Sequence, residues 1–257
     1  MGIEIDAKSL LGTRSSQQDF YTFKNGEELA LAVVCDGMGG LKGGTEASMK
    51  ASILFKEDVK AALPIDDIFS FLEEEVHRLD EAVFSIRDQR GEWLGAGTTM
   101  VAVLIKKNEL YFLTVGDSML YACRGDDMIP LNREHNYKLR LDEMKKAGAL
   151  SDDDYAREIG RGQSLISYIG MGNVAIYDLN RNPFILQDGD KLLLCTDGVT
   201  KILSDDEIKA ILRDHDEPKG IVKDITKNIE GSKKKSRDNA TYLAICYKED
   251  EDEHTDV

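Results

Sequence analysis

Short apolar runs rich in β-branched and aromatic residues, gathered into groups rather than alternating with helical segments, constrain this chain most. Residues 29–35, 98–105, 110–115, 119–123, 191–196 and 240–247 each read as a buried strand. Residues 3–10 add a weaker strand, resting on the alternation of Ile3 and Ile5 with Glu4 and Asp6. Lys107-Asn108, between two of the runs, predicts a hairpin turn. Two long amphipathic segments, 45–63 and 65–90, predict helices broken at Pro64. In the second, Ile68, Leu72, Val76, Leu79 and Val83 recur every three or four residues, which makes one core-facing stripe. Shorter helices are predicted over 204–212 and 218–229, the first opened by a capping box of Ser204 and Glu207. A parallel sheet would need strand and helix to alternate, and they do not. The pieces fit an α+β fold instead: a four-layer α-β-β-α sandwich, with two central antiparallel sheets face to face and flanked by helices. No repeat or long linker divides the 257 residues, so one domain is expected over residues 1–247. The polar, weakly periodic stretch at about 132–172 reads as a mobile excursion on that domain.

Charge and composition narrow the function classes. A net charge of −15 argues against nucleic-acid binding, which needs a basic footprint. Part of that charge lies in an acidic end, residues 248–257, which reads as a solvated, disordered tail. The start, Met1-Gly2-Ile3-Glu4, turns polar at once and has no signal-peptide pattern; Gly2 lacks the Ser or Thr at position 6 that myristoylation favours. No apolar run approaches a membrane span, so no membrane partner and a cytoplasmic location are expected. Cys35, Cys123, Cys195 and Cys246 lie in or beside apolar runs and form no CxxC pair, so they read as buried thiols rather than zinc ligands or disulfides.

Four aspartates sit at strand ends. Asp36, Asp117 and Asp197 follow predicted strands, in Asp36-Gly37-Met38-Gly39-Gly40, Gly116-Asp117-Ser118 and Thr196-Asp197-Gly198; Asp238 precedes the last one, in Asp238-Asn239-Ala240-Thr241. Taken alone, an Asp-Gly after a strand is a turn signal. In an antiparallel sheet, however, the C-terminal end of one strand lies beside the N-terminal end of its neighbour, so all four carboxylates can meet at one edge. Two like charges about 4 Å apart repel by about 4 kcal/mol at an effective dielectric near 20. Several such pairs would exceed a typical net stability of about 5–15 kcal/mol. Hard divalent cations remove that repulsion, and Mn²⁺ and Mg²⁺ favour oxygen ligands. A metal pair can also bridge and acidify a water, giving a hydroxide suited to in-line attack on phosphorus.

Gly12-Thr13-Arg14 with Asp19 five residues after the arginine, Val34-Cys35-Asp36-Gly37-Met38-Gly39-Gly40, Gly97-Thr98-Thr99, Val115-Gly116-Asp117-Ser118, Leu194-Cys195-Thr196-Asp197-Gly198-Val199 and Asp238-Asn239-Ala240-Thr241 occur in that order over nearly the whole chain. This succession resembles the protein phosphatase 2C family of metal-dependent Ser/Thr protein phosphatases, particularly its bacterial members. The resemblance implies a β-sandwich flanked by helices and two Mn²⁺ or Mg²⁺ ions, with a third in bacterial relatives. Asp36, Asp197 and Asp238 would hold one metal. Asp36 and the Gly37 carbonyl would hold the second, with Asp19 nearby through water, and Asp117 and Asp197 would hold the third. Arg14 would bind the substrate phosphate, a role that suits a planar bidentate donor. The implied catalytic set is Arg14, Asp36 and Asp238, and the excursion at 132–172 would be the family's flap beside the site. The implied partners are phosphorylated proteins, with the chain opposing a Ser/Thr kinase.

The chain departs from the family pattern in places. Gln17 and Gln18 stand where Asn or Glu is usual, Gln being frequent at the second place in bacterial forms. Met119 and Ser167 replace usual arginines on the substrate side. Met38 stands where animal relatives carry a histidine proposed as general acid, and a thioether has no proton to give; His135 is the candidate by residue type. Lys233-Lys234-Lys235-Ser236-Arg237 reads as a solvated loop offsetting the acidic edge, or as a site for acidic or phosphorylated substrate flanks. A cysteine-phosphatase mechanism needs an arginine six residues after the nucleophile, and those positions hold Leu41, Ile129, Lys201 and Asp252. A dinucleotide-binding GxGxxG fails at Lys42. The competing reading is a catalytically inactive family member acting as a regulatory binding module.

Overall fold

The computed structural model describes residues 2–249. Two antiparallel sheets form its centre. The first has the order β1-β12-β11-β7-β8, built from β1 (Gly2–Leu10), β7 (Met119–Arg124), β8 (Asp127–Pro130), β11 (Lys191–Cys195) and β12 (Ala240–Lys248). The second runs β10-β6-β5-β3-β2, from β2 (Asp19–Lys24), β3 (Ala30–Met38), β5 (Met100–Lys106), β6 (Glu109–Val115) and β10 (Phe184–Ile185). Two short strands lie beside it, β4 (Gly97–Thr98) on β3 and β9 (Asp178–Leu179) on β6.

Each central strand buries both faces, so its sequence is a continuous apolar run instead of an alternating one. In β5, Met100, Ala102 and Leu104 face the helical layer while Val101, Val103 and Ile105 face the other sheet. In β12, Leu243, Ile245 and Tyr247 point between the sheets and Tyr242, Ala244 and Cys246 point to the opposite helical layer. The helices α1 (Gly40–Ala62) and α2 (Ile68–Phe84) cover the second sheet through Phe55, Leu72, Val76 and Leu79. The helices α6 (Asp205–Arg213) and α7 (Pro218–Gly231) cover the first through Ile208, Leu212, Ile221 and Ile225. The architecture is the expected four-layer sandwich.

The helix α2 buries the predicted stripe of Ile68, Leu72, Val76, Leu79 and Val83, and the Ser204–Glu207 capping box opens α6. Boundaries differ from the expectation. α1 begins at Gly40, five residues early, and α2 ends at Phe84 rather than continuing to 90. Asp36 lies inside β3, which extends to Met38, instead of following it. Residues 197–200, which open with the Asp197-Gly198 turn signal, form the short helix α5 (Asp197–Thr200). All four cysteines are free and buried, and no helix among the described residues is long and apolar enough to cross a membrane. Lys248 closes β12 opposite Gly2, and residues 250–257, most of the predicted tail, lie outside the described residues.

The excursion at 132–172 carries α3 (Tyr137–Lys146) and α4 (Asp152–Glu158), which bury almost nothing of their own. It is fastened at its far end. Thr98 and Ile169 exchange backbone hydrogen bonds of 2.9 Å. The buried carboxylate of Asp80 on α2 accepts from the N–H groups of Gly170 (2.6 Å), Gly172 (3.3 Å) and Val174 (3.0 Å). Removing that acceptor leaves several donors to be satisfied by water in a closed space. Asp80→Ala is therefore expected to cost about 2–4 kcal/mol in urea denaturation, well above the effect of an exposed Asp→Ala.

Candidate active site

One end of the sandwich gathers segments from both sheets. The link from β1 to β2 carries Arg14, and the link from β6 to β7, where the chain changes sheet, carries Asp117. β3 supplies Asp36, the residue after β11 is Asp197 and α5 starts with it, and Asp238 lies two residues before β12. These residues line a cavity of about 570 Å³. Gly37, Gln163, Leu165 and Tyr168 also line it, the last three from the excursion. Asp19 is buried and sits directly opposite Asp36 in the β2–β3 register.

Two glycines permit the close packing. A Cβ on Gly37 would stand 2.1 Å from the Gly44 carbonyl oxygen of α1, and one on Gly198 would stand 1.8 Å from the Asn239 carbonyl oxygen. The second contact lets the segment that starts with Asp197 pack against the one that carries Asp238.

A row of hydroxyls and amides fixes the carboxylates. Thr99 Oγ1 accepts from the Asp36 N–H (3.0 Å) and is bonded to Ser118 Oγ at 2.7 Å, tying the Asp36 strand to the Asp117 link. Thr196 Oγ1 donates to Asp19 Oδ2 (2.9 Å) and accepts from the Thr241 N–H (2.9 Å). Asn239 accepts from the Gln18 N–H (2.9 Å) and donates to the Leu11 carbonyl (2.9 Å), which clasps the Arg14 loop.

Mutual proximity shows in the proton affinities. Burial pushes the Asp19 carboxyl up to about 7, against the hydrogen bonds from Thr196 and Thr241, with the charges of Asp197 and Asp238 adding to the rise. Burial, then the charges of Asp19, Asp197, Asp117 and Asp238, raises Asp36 well above its ordinary value. Burial and then the charge of Asp197 bring Asp117 up to about 7. Asp238 goes the other way: burial would raise it, but hydrogen bonds and charge from Lys201 and Arg14 hold it below the usual range.

Those two cations are part of the site. Lys201 Nζ lies 2.5 Å from Asp197 Oδ2 and 3.1 Å from Asp238 Oδ2. Arg14 grips Asp238 with both arms, Nε to Oδ1 at 2.9 Å and a terminal nitrogen to Oδ2 at 2.9 Å. Among the described residues, no three His, Cys, Asp or Glu side chains close into a ready-made metal cage. The donor set nonetheless fits hard cations. It is all oxygen, five carboxylates with the Gly37 carbonyl, and Asp19 Oδ1 and Asp197 Oδ1 are buried without hydrogen-bond partners.

His135 does not stand at the site as a proton donor. Its side chain is wholly buried. Nδ1 accepts from the Gly116 N–H (3.1 Å), so the proton of the neutral ring is on Nε2, 3.4 Å from Asp178 Oδ1. Its own N–H donates to the Gly116 carbonyl (2.8 Å). The histidine thus holds both backbone groups of the residue before Asp117. Ser167, in place of an arginine, donates to the Ile176 carbonyl (2.5 Å), and Met119 is buried against α6 and α7. Lys201 escaped the sequence reading although a signal exists: it follows Asp197 by four residues, one helical turn on the same face.

Residues 8–233 match the family model described as Protein phosphatase 2C. The chain belongs to that family. It is 28% identical over 194 residues to the serine/threonine phosphatase stp of Listeria innocua, covering 74% of this chain and 75% of the relative. The S. agalactiae serine/threonine phosphatase shares its fold at a TM-score of 0.77 with 25% identity, covering 96% of this chain and 100% of that one. The catalytic domain of the serine/threonine protein phosphatase PstP, solved with two manganese ions, matches at a TM-score of 0.74 and 22% identity, over 96% of this chain and 98% of that one.

Proposed function

We propose that this chain hydrolyses phosphoserine and phosphothreonine in proteins, using divalent cations held by Asp19, Asp36, Gly37, Asp117, Asp197 and Asp238. One observation carries the reading: carboxylates from four separate segments, Asp36, Asp117, Asp197 and Asp238, line one cavity with Arg14, a fifth, Asp19, lies buried opposite Asp36, and Asp19 and Asp197 each keep a buried oxygen without a partner. The relatives are serine/threonine phosphatases by name, and PstP was solved with two manganese ions, which supports two Mn²⁺ or Mg²⁺ ions here; a third would fall to Asp117 and Asp197. When bound, such ions supply Lewis acidity and make water a stronger nucleophile near neutral pH. The protein's own contribution is to hold carboxylates in fixed places, to let backbone segments pack closely at Gly37 and Gly198, and to present a guanidinium at the mouth. Arg14 is half-exposed and, bonded to one carboxylate, retains donors for phosphate oxygens. The partners would be proteins phosphorylated by a Ser/Thr kinase, and buried free thiols suit a cytoplasmic setting.

Hydrolysis of p-nitrophenyl phosphate and of phosphothreonine peptides should require Mn²⁺ or Mg²⁺ and stop with EDTA. A folded protein that binds no metal and turns over neither substrate would establish the inactive binding module instead. Arg14→Lys should raise KM for phosphopeptides about tenfold or more while changing kcat less, because the lysine keeps the charge but loses the bidentate geometry.

A further inference from the structure

The chain has 48 acidic against 33 basic residues, yet Lys233, Lys234, Lys235 and Arg237 crowd into one five-residue stretch. That stretch links α7 to β12 and leads directly into Asp238. Its backbone is fastened to the loop that carries Arg14. The Arg237 N–H donates to Thr13 Oγ1 (2.9 Å), and the Thr13 N–H donates to the Arg237 carbonyl (3.0 Å). The cations divide by what they do. The Arg237 guanidinium is spent on the last carbonyls of α7, Ile229 (3.2 Å) and Glu230 (2.9 Å). Lys234 reaches the Lys201 carbonyl. Lys233 and Lys235 are exposed, and among the described residues neither has a hydrogen bond or ion pair.

These two lysines are not needed to neutralise the site. Asp238 and Asp197 already have Lys201 within 3.1 Å, and Asp238 has Arg14 as well. Two exposed cations, on the segment that leads into the cavity-lining Asp238 of an acidic protein, have no internal role, and their sign selects what approaches. Reach is favourable. Lys235 and Lys233 are three and five residues from Asp238, so at most about 11 Å and about 18 Å of chain separate them from it. In an extended peptide, a side chain two to four residues from the phosphorylated one lies about 7–13 Å away.

We propose that Lys233 and Lys235 form a specificity surface that favours phosphoproteins carrying Asp or Glu two to four residues from the phosphorylated Ser or Thr. The proposal rests on the reading of the cavity as a phosphoprotein phosphatase site. Each exposed ion pair is weak and screened by salt, so the expected preference is about three- to tenfold in kcat/KM at low ionic strength.

The test uses the full chain with Mn²⁺, p-nitrophenyl phosphate, and two phosphothreonine peptides that differ only in Glu or Gln at the flanking positions. The wild-type protein should favour the Glu peptide, and the preference should shrink in about 0.5 M salt, where the Debye length is only a few ångströms. The double variant Lys233→Gln/Lys235→Gln should lose the preference while keeping its turnover of the Gln peptide and of p-nitrophenyl phosphate. Lys233→Glu/Lys235→Glu should reverse it. Equal wild-type rates on both peptides, or a preference that survives the double variant, would overturn the specificity surface and leave the phosphatase reading intact. Turnover of p-nitrophenyl phosphate with neither peptide hydrolysed would overturn the phosphoprotein reading and the surface together.

Discussion

Asp238→Asn is expected to lower kcat by about a hundredfold to a thousandfold at saturating Mn²⁺, with circular dichroism nearly unchanged. Asparagine has the shape of aspartate but half its acceptor capacity and none of its charge. Metal-ion stabilisation is worth several kcal/mol, and each 1.36 kcal/mol is a factor of ten. The fold should tolerate the change because Asp238 is only partly buried and the bonds that clasp this corner come from Asn239, Thr13 and Arg237. The substitution also frees Arg14 and leaves Lys201 paired with Asp197 alone. Metal affinity, read by isothermal titration calorimetry, should fall along with kcat. A variant that keeps wild-type turnover and wild-type Mn²⁺ affinity would remove Asp238 from the proposed ligand set.

The framework was legible because burial on both faces leaves a strong local mark. The runs in β3, β5, β6, β11 and β12 stand out for the same reason that they fill two core layers at once. The edge strand β2 left no such mark: Phe20, Tyr21 and Phe23 are only partly covered, and the strand begins with the aspartate that matters most in it. The strand-end aspartates were visible one by one, but their meeting depends on register, Asp19 opposite Asp36 and β11 beside β12, which no local pattern encodes. Side chains acting across long sequence distances were the hardest to read. Asp80 binds backbone about 90 residues away, and His135 looked like a proton donor by type until its burial and its bond to Gly116 showed it holding the Asp117 link. Lys201 is the intermediate case, one helical turn from Asp197 and noticeable only once residues 197–200 are known to be helical.

The metal-free protein should lose stability as pH rises from about 4 to about 7, the reverse of ordinary acid denaturation. Asp19 and Asp117 are raised from 3.8 to about 7 in the fold, chiefly by burial. Between the unfolded and folded values the native state holds more protons than the unfolded one, so ΔG of unfolding falls with pH. The stability from their protonated forms is full below about pH 4 and is lost as pH passes through about 7. Each group contributes a slope of about 1.4 kcal/mol per pH unit within that window, so the total is several kcal/mol. For a chain of this length that corresponds to a fall of about 10 °C or more in Tm. Asp238 and Asp178 act in the opposite sense. Although burial would raise both, Lys201 and Arg14 hold Asp238 low, and His135 and Arg133 hold Asp178 low. Their contributions are present above the unfolded value and disappear as pH falls through the folded one, which places the metal-free optimum near pH 4–5. Saturating Mn²⁺ should invert the upper limb: binding requires ionised carboxylates, so affinity rises with pH, and an ion at about 100 times its Kd adds about 2.7 kcal/mol. Thermal melts in EDTA and in Mn²⁺ from about pH 4 to about pH 8 should therefore diverge, the gap widening with pH. An EDTA curve that is flat or rising over that window would mean that Asp19 and Asp117 are not crowded and dehydrated as the geometry requires.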